Sequence, residues 1–128
     1  MENKKYLYKG INELTLIEID TILVIGRDSM KSMSEIANKL GVSSGTPTVT
    51  IDRLINKGFV LRIRDLEDRR QVFVKLSERG TELFNDIITL KNKVTERIFG
   101  ILNPEERKTA IEILSKLNNS FDKVFQSL

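Results

Sequence analysis

Apolar residues follow a helical period along most of the chain and alternate only in its middle. Residues 1–12 are mixed and polar, a short helix or a loose arm. Leu16, Ile19, Leu23 and Gly26 then recur at helical spacing, with Ile22 and Ile25 beside them. Thr15 stands where an N-cap belongs, Glu18 three residues on completes a capping-box pattern, and Gly26 or Arg27-Asp28-Ser29 ends the helix. A shorter helix follows, with Ser34 as expected N-cap, Ile36, Ala37 and Leu40 as its apolar face and Gly41 as its stop. A third helix runs to Lys57 and ends at Gly58. Phe59-Val60-Leu61-Arg62-Ile63 and Gln71-Val72-Phe73-Val74-Lys75-Leu76 read as two strands of a hairpin, joined by the charged turn from Arg64 to Arg70.

Ser77 then caps a long helix carrying Leu83, Phe84, Ile87, Ile88, Leu90, Val94, Ile98 and Leu102. Asn103-Pro104-Glu105-Glu106 starts a last helix with a cap, a proline at the first position and acids in the first turn. It continues to about Gln126 through Ile111, Leu114, Leu117, Phe121, Val124 and Phe125. The pattern predicts a mainly α fold with a small β-hairpin wing. Residues 14–76 form the winged helix-turn-helix, and residues 77–128, with 1–13, form a helical dimerisation region. Two long helices would leave a large apolar patch in water, so a second copy of the chain is the expected cover. Leu83, Ile87, Val94, Ile98, Ile111, Leu114, Leu117, Phe121 and Phe125 are its expected contacts.

The 128 residues suffice for one domain with one modest core. Nothing approaches the 18–20 apolar residues, roughly, of a membrane helix, and no signal-peptide stretch follows Met1-Glu2-Asn3-Lys4-Lys5-Tyr6. The sequence contains neither cysteine nor histidine. Disulfides, thiol switches, common zinc sites and Ser-His-Asp triads are therefore excluded. No nucleophile–base pair, glycine-rich phosphate loop or metal cluster is visible, so neither an enzyme nor a cofactor is expected.

The net charge is only +3, but its placement is uneven. Residues 1–50 carry six basic and six acidic side chains, and residues 77–128 carry eight of each. Residues 51–76 carry seven basic (Arg53, Lys57, Arg62, Arg64, Arg69, Arg70, Lys75) against four acidic (Asp52, Asp65, Glu67, Asp68). The whole excess sits where the hairpin and the preceding helix meet. That is the electrostatic footprint of a protein that binds the phosphate backbone.

Glu35 to Ser43 carries a specific pattern. A helix-turn-helix needs a small residue where its helices cross, supplied by Ala37, and a left-handed backbone at the turn, supplied by Gly41. Val42 is expected to anchor the turn in the core. In the second helix Pro47, Ile51 and Leu54 fall at i, i+4, i+7 and face inward. Ser43, Ser44, Gly45, Thr46, Val49, Thr50 and Arg53 are left outward, with Thr48 at the border. Hydroxyls can serve phosphates or base edges, Val49 or a threonine methyl can touch a thymine methyl, and Arg53 can reach a phosphate or a guanine. Pro47 leaves the start open: with Ser43 as N-cap it removes an intrahelical donor, and with Thr46 as N-cap it is an ideal first residue. In the wing, Arg64, Arg69 and Arg70 can enter a narrow minor groove, and Asp68 is expected to pair with an arginine and stiffen the loop.

Ser34-Glu35-Ile36-Ala37, Leu40-Gly41-Val42-Ser43, Thr48 through Lys57-Gly58-Phe59-Val60, Arg62, Asp65, Asp68-Arg69-Arg70 and Leu76-Ser77-Glu78-Arg79-Gly80 resemble the MarR family, from about residue 14 to the end. The resemblance implies cytoplasmic bacterial homodimers that bind near-palindromic double-stranded DNA. The helix-turn-helix would lie in the major groove and the wing in the minor groove, with small ligands or partners acting near the junction with the dimer region. The family's first helix is usually longer than residues 1–13 allow; a shortened helix or a late start would bear on dimer strength and on any ligand pocket. Gly45 to Ile51, Met33 to Ala37 and Leu14-Thr15 further resemble the branch that represses fatty-acid-synthesis genes (FabT-like), although that branch typically has leucine where Pro47 stands. It would imply acyl carrier protein with a long acyl chain as corepressor. A regulator answering a small aromatic or lipophilic ligand, and a winged-helix protein-interaction module without DNA binding, are the alternatives.

Overall fold

A computed structural model describes residues 10–65, 67–68 and 70–127 of the chain. Its elements are α1 (Leu16–Ile25), β1 (Lys31–Ser32), α2 (Met33–Leu40), α3 (Pro47–Asn56), β2 (Val60–Arg64), β3 (Val72–Leu76), α4 (Glu78–Phe99) and α5 (Pro104–Ser127), with residues 10–12 also helical. The fold is the expected one: mainly helical, with α2 and α3 as the helix-turn-helix and β2–β3 as the wing.

The sheet has three strands rather than two, in the order β1-β3-β2. β2 and β3 pair antiparallel from Val60 opposite Leu76 to Arg64 opposite Val72. β1 adds Lys31 opposite Val74 and Ser32 opposite Phe73. Two residues are too few to show a period of two, so β1 leaves no trace in the pattern. It also moves the start of α2. The cap is Ser32, not Ser34: sheet pairing holds Ser32 extended (φ −75°, ψ 161°), and its hydroxyl accepts the Glu35 N–H at 3.2 Å. Gly41 is left-handed (φ 71°, ψ 32°), as a residue without Cβ permits, and ends α2.

Two compact units make up the chain, the first ending at Leu90 and the second beginning at Lys91. The first unit's core joins Ile22 and Ile25 of α1, Ile36 of α2, Ile51 and Leu54 of α3, Val60 of β2 and Val74 of β3. Three expectations are corrected here. Leu16 is 82% exposed, because α1 turns Glu18, Thr21, Ile22 and Ile25 inward. Val42 is 36% exposed and does not anchor the turn, whereas Ile36 and Ala37 of α2 are buried. Leu83 and Ile87 are buried in this core and are not free to meet a second chain.

The step from β3 into α4 brings two backbones together. The Ser77 hydroxyl donates to the Gly58 carbonyl at 2.6 Å and accepts the Gly80 N–H at 3.0 Å. The Ser77 N–H reaches the Phe59 carbonyl at 2.9 Å. A Cβ on Gly80 would lie 1.9 Å from that same carbonyl oxygen, so only glycine fits.

In the second unit, α5 begins with a reciprocal capping box. Asn103 Oδ1 accepts the Glu106 N–H at 2.9 Å, and Glu106 Oε1 accepts the Asn103 N–H at 3.0 Å. Arg107 Nε donates to the Phe99 and Leu102 carbonyls, both at 3.1 Å, closing the turn between the helices. No residue of α5 is buried, and its aromatic pair Phe121 and Phe125 has ring centroids 5.2 Å apart. Among the described residues no helix is long and apolar enough to cross a membrane.

Candidate nucleic-acid interface

The helix after the turn begins at Pro47, which settles the alternative left open by its sequence. Thr46 is the residue before the helix, already in helical conformation (φ −65°, ψ −40°), and its side chain makes no capping bond. Ser43 belongs to a turn in front of it. The Thr46 N–H reaches the Ser43 carbonyl at 3.0 Å, and the two hydroxyls lie 2.7 Å apart. Pro47 has no N–H to lose at this position, and its ring is buried on the inner face of α3. The helix start therefore presents hydroxyls and backbone donors rather than charge.

Ile51 and Leu54 bury the inner face of α3, and Ser44, Gly45, Thr46, Thr48, Val49 and Arg53 are exposed together with Ser43. Thr50 is the exception to the expected outward set. It is 8% exposed, because three residues from Pro47 and four from Leu54 it falls on the inner face.

The wing is braced from within. The Asp65 N–H reaches the Gln71 carbonyl at 3.3 Å, one step beyond the ladder. Asp65 Oδ1 accepts the Glu67 N–H and Asp68 Oδ1 accepts the Arg70 N–H, each at 3.0 Å. The Gln71 N–H returns to the Asp68 carbonyl at 3.1 Å. These short side-chain loops fix backbone that no strand partner holds. The bond described for Asp68 is thus to a backbone N–H rather than to an arginine side chain. Arg64 and Arg70 are exposed, and Arg69 lies outside the described residues.

Two cations that the charge count assigns to the basic surface are engaged by acids. Arg62 Nη2 meets Asp52 Oδ1 at 2.6 Å, joining β2 to the outer side of α3. Lys57 Nζ meets Glu18 Oε2 at 2.7 Å, joining the end of α3 to α1. Glu18 is 2% exposed. Burial alone would raise its carboxyl, but hydrogen bonds from Lys57 and Thr15 and the Lys57 charge outweigh that and hold it below the ordinary carboxylate range. The sequence does carry a signal for Glu18: with Ile22 and Ile25 it completes an i, i+4, i+7 inward stripe. An acid on such a stripe calls for a buried cation. Exposed Arg53, Arg64, Arg70 and Lys75 remain as the described cations of this stretch outside ion pairs.

The expected dimer contacts divide between the units. Leu83 and Ile87 belong to the first core, whereas Val94, Ile98, Ile111, Leu114, Leu117, Phe121 and Phe125 are 48–66% exposed. Among the described residues no group of carboxylates is placed to hold a metal ion.

The profile described as the MarR family matches residues 14–72. The HTH-type transcriptional regulator YfiV of Bacillus subtilis is 29% identical over 110 residues, covering 86% of this chain and 69% of that protein. The HTH-type transcriptional regulator YwhA of the same organism is 30% identical over 94 residues, covering 73% of this chain and 68% of that protein. Among solved structures, Streptococcus pneumoniae FabT in complex with DNA superposes with a TM-score of 0.80 at 23% identity, over 96% of this chain and 97% of that one.

Proposed function

The chain belongs to the MarR family of transcriptional regulators, and we propose that it acts by sequence-specific binding of double-stranded DNA as a homodimer. The observation that carries this reading is the exposed face of α3. It is free of acids from Ser43 to Val49, ends in Arg53, and is followed by a wing bearing Arg64 and Arg70. Small hydroxyl and methyl groups can approach base edges closely, while a surface helix without such a role usually carries glutamate and lysine. Ser43, Ser44, Gly45, Thr46, Thr48, Val49 and Arg53 are the proposed major-groove set. Arg64, Arg69 and Arg70 are the proposed wing contacts, with Asp68 holding the loop between them. What supports the dimer is the apolar surface of the second unit, too extensive to be left in water. Two-fold symmetry then calls for a near-palindromic operator with half-sites about 10 base pairs apart. The reading of the protein as a repressor rests on the FabT-like resemblance alone.

The finer reading is a repressor of fatty-acid-synthesis genes with acylated carrier protein as corepressor. Its support is the likeness of Gly45 to Ile51, Met33 to Ala37 and Leu14-Thr15 to that branch; the fold shared with FabT concerns architecture alone. Titration of the protein's own upstream DNA with and without acylated carrier protein tests both levels. Salt-sensitive binding strengthened by the acylated partner supports both. Binding indifferent to it removes the fatty-acid reading and favours a small lipophilic effector. Absence of binding removes DNA reading and leaves a protein-interaction module.

A further inference from the structure

We propose that Glu18 is a positioning residue for DNA reading: through Lys57 it fixes the C-terminal end of α3, and so sets the angle at which that helix meets the major groove. The inference rests on the DNA-binding function proposed above. Lys57 is the residue at which α3 ends (φ −76°, ψ −9°), followed by Gly58 at φ 84°, where the chain reverses toward β2. Every polar group of Lys57 is engaged. Its N–H reaches the Arg53 carbonyl at 3.0 Å, and its carbonyl accepts Arg79 Nη1 at 3.2 Å. Its amine meets Glu18 Oε2 at 2.7 Å and the Glu13 carbonyl at 3.3 Å. Glu18 is held in turn, since Oε1 accepts the Thr15 hydroxyl at 3.1 Å. The chain of bonds therefore runs from the cap of α1 to the end of the reading helix.

Geometry makes this end matter. The ten residues of α3 span about 15 Å, so a tilt of ~10° pivoting at Lys57 moves the Thr46–Val49 end by about 2.6 Å. Base contacts tolerate only about 0.5 Å of such error. Apolar contact alone is a poor guard against tilt, because it has no direction. A bond between a buried carboxylate and one amine has direction. The pairing also removes Lys57 from the cations available to phosphates, although its sequence position places it among them.

Duplexes enriched by the parent chain from a random library serve as the specific probe, and a random-sequence duplex serves as control. The parent, Glu18→Gln, Lys57→Met, the double variant and Lys57→Arg are titrated at two salt concentrations, with circular dichroism confirming that each is folded at the working temperature. If Lys57→Met does not fold, Glu18→Gln and Lys57→Arg, both close in shape to the parent, carry the test. Positioning predicts that Glu18→Gln and Lys57→Met each lose about tenfold or more on the enriched duplex and about twofold or less on the control. The double variant is then no weaker than the weaker single one, and Lys57→Arg recovers most of the loss. The proposal is overturned if Glu18→Gln binds more tightly than the parent while Lys57→Met weakens both duplexes and lowers the salt slope by about one, for then Lys57 is a phosphate contact. It is equally overturned if the variants melt earlier yet bind as the parent does. A parent chain that enriches no sequence refutes DNA reading itself, which is a distinct result.

Discussion

Arg62 and Asp52 meet at 2.6 Å across the junction of β2 and α3, both side chains about half exposed. An exposed pair of this kind contributes little to stability, on the order of 0–1 kcal/mol. Its consequence lies at the surface proposed to face DNA. Asp52 is the one acid on α3, and Arg62 neutralises it. Asp52→Asn should therefore leave the fold intact, free Arg62, and tighten binding to any duplex. The slope of log affinity against log salt should steepen by about one per site. Titrations of parent and variant at several salt concentrations would show it. An unchanged slope would mean that Arg62 cannot reach a phosphate.

Arg53, Arg64 and Arg70 are exposed and outside ion pairs. Alanine at Arg53 should cost about 1–3 kcal/mol on the preferred sequence if it reads a base, with relaxed preference at one position. Alanine at Arg70 should weaken binding to all sequences and reduce the salt slope by about one. Parallel titrations on preferred and shuffled duplexes separate the two behaviours.

Gly80 tests the join between wing and α4. With its added Cβ 1.9 Å from the Phe59 carbonyl oxygen, Gly80→Ala must displace either α4 or the start of β2. A loss of about 3 kcal/mol is expected, large for a change of one methyl. Thermal unfolding of the variant would measure it. Gly45, with open space around its Cβ position, is the matching control and should tolerate alanine.

Much of this was legible in the residues. The caps at Thr15, Gly41 and Asn103 and the paired strands follow from local chemistry that tertiary contacts do not override. Ser32 was not, because β1 is too short to alternate and its pairing with β3 is remote in sequence. Thr50 falls outside the Pro47, Ile51, Leu54 stripe and so reads as outward, yet its spacing of three from Pro47 and four from Leu54 puts it inside. Leu83 and Ile87 continue the same helical stripe as Val94 and Ile98, and no period can show where along one helix the first core stops. The count of seven basic residues in 51–76 exceeds the free cations, since Lys57 pairs with Glu18 of α1 and Arg62 with Asp52 on the outer side of α3.

Stability should depend on pH through Glu18. Its carboxyl is depressed in the folded protein, with Lys57 as its ion-pair partner. Such a group stabilises the fold fully above its unfolded value, about 4.3, and the contribution is lost as pH falls through the lower folded value. The gap in denaturant midpoint between parent and Glu18→Gln should therefore be constant from neutral pH to about 5 and shrink below about 4. A gap that persists at low pH would place the effect outside the carboxylate.

The apolar surface of the second unit predicts association. Phe121→Asp should shift sedimentation from a dimer toward a single 14.7 kDa chain without unfolding the first unit, whose core does not include α5. A parent chain that sediments as a monomer at micromolar concentration would argue against that interface.

The most direct measurement is an equilibrium titration of the parent chain against its own upstream DNA and against a shuffled duplex, at about 50 and about 200 mM salt. A DNA-reading dimer should prefer the native sequence by about 1,000-fold or more and lose affinity steeply with salt. Equal affinity for the two duplexes, or no binding to either, would contradict a sequence-specific regulator.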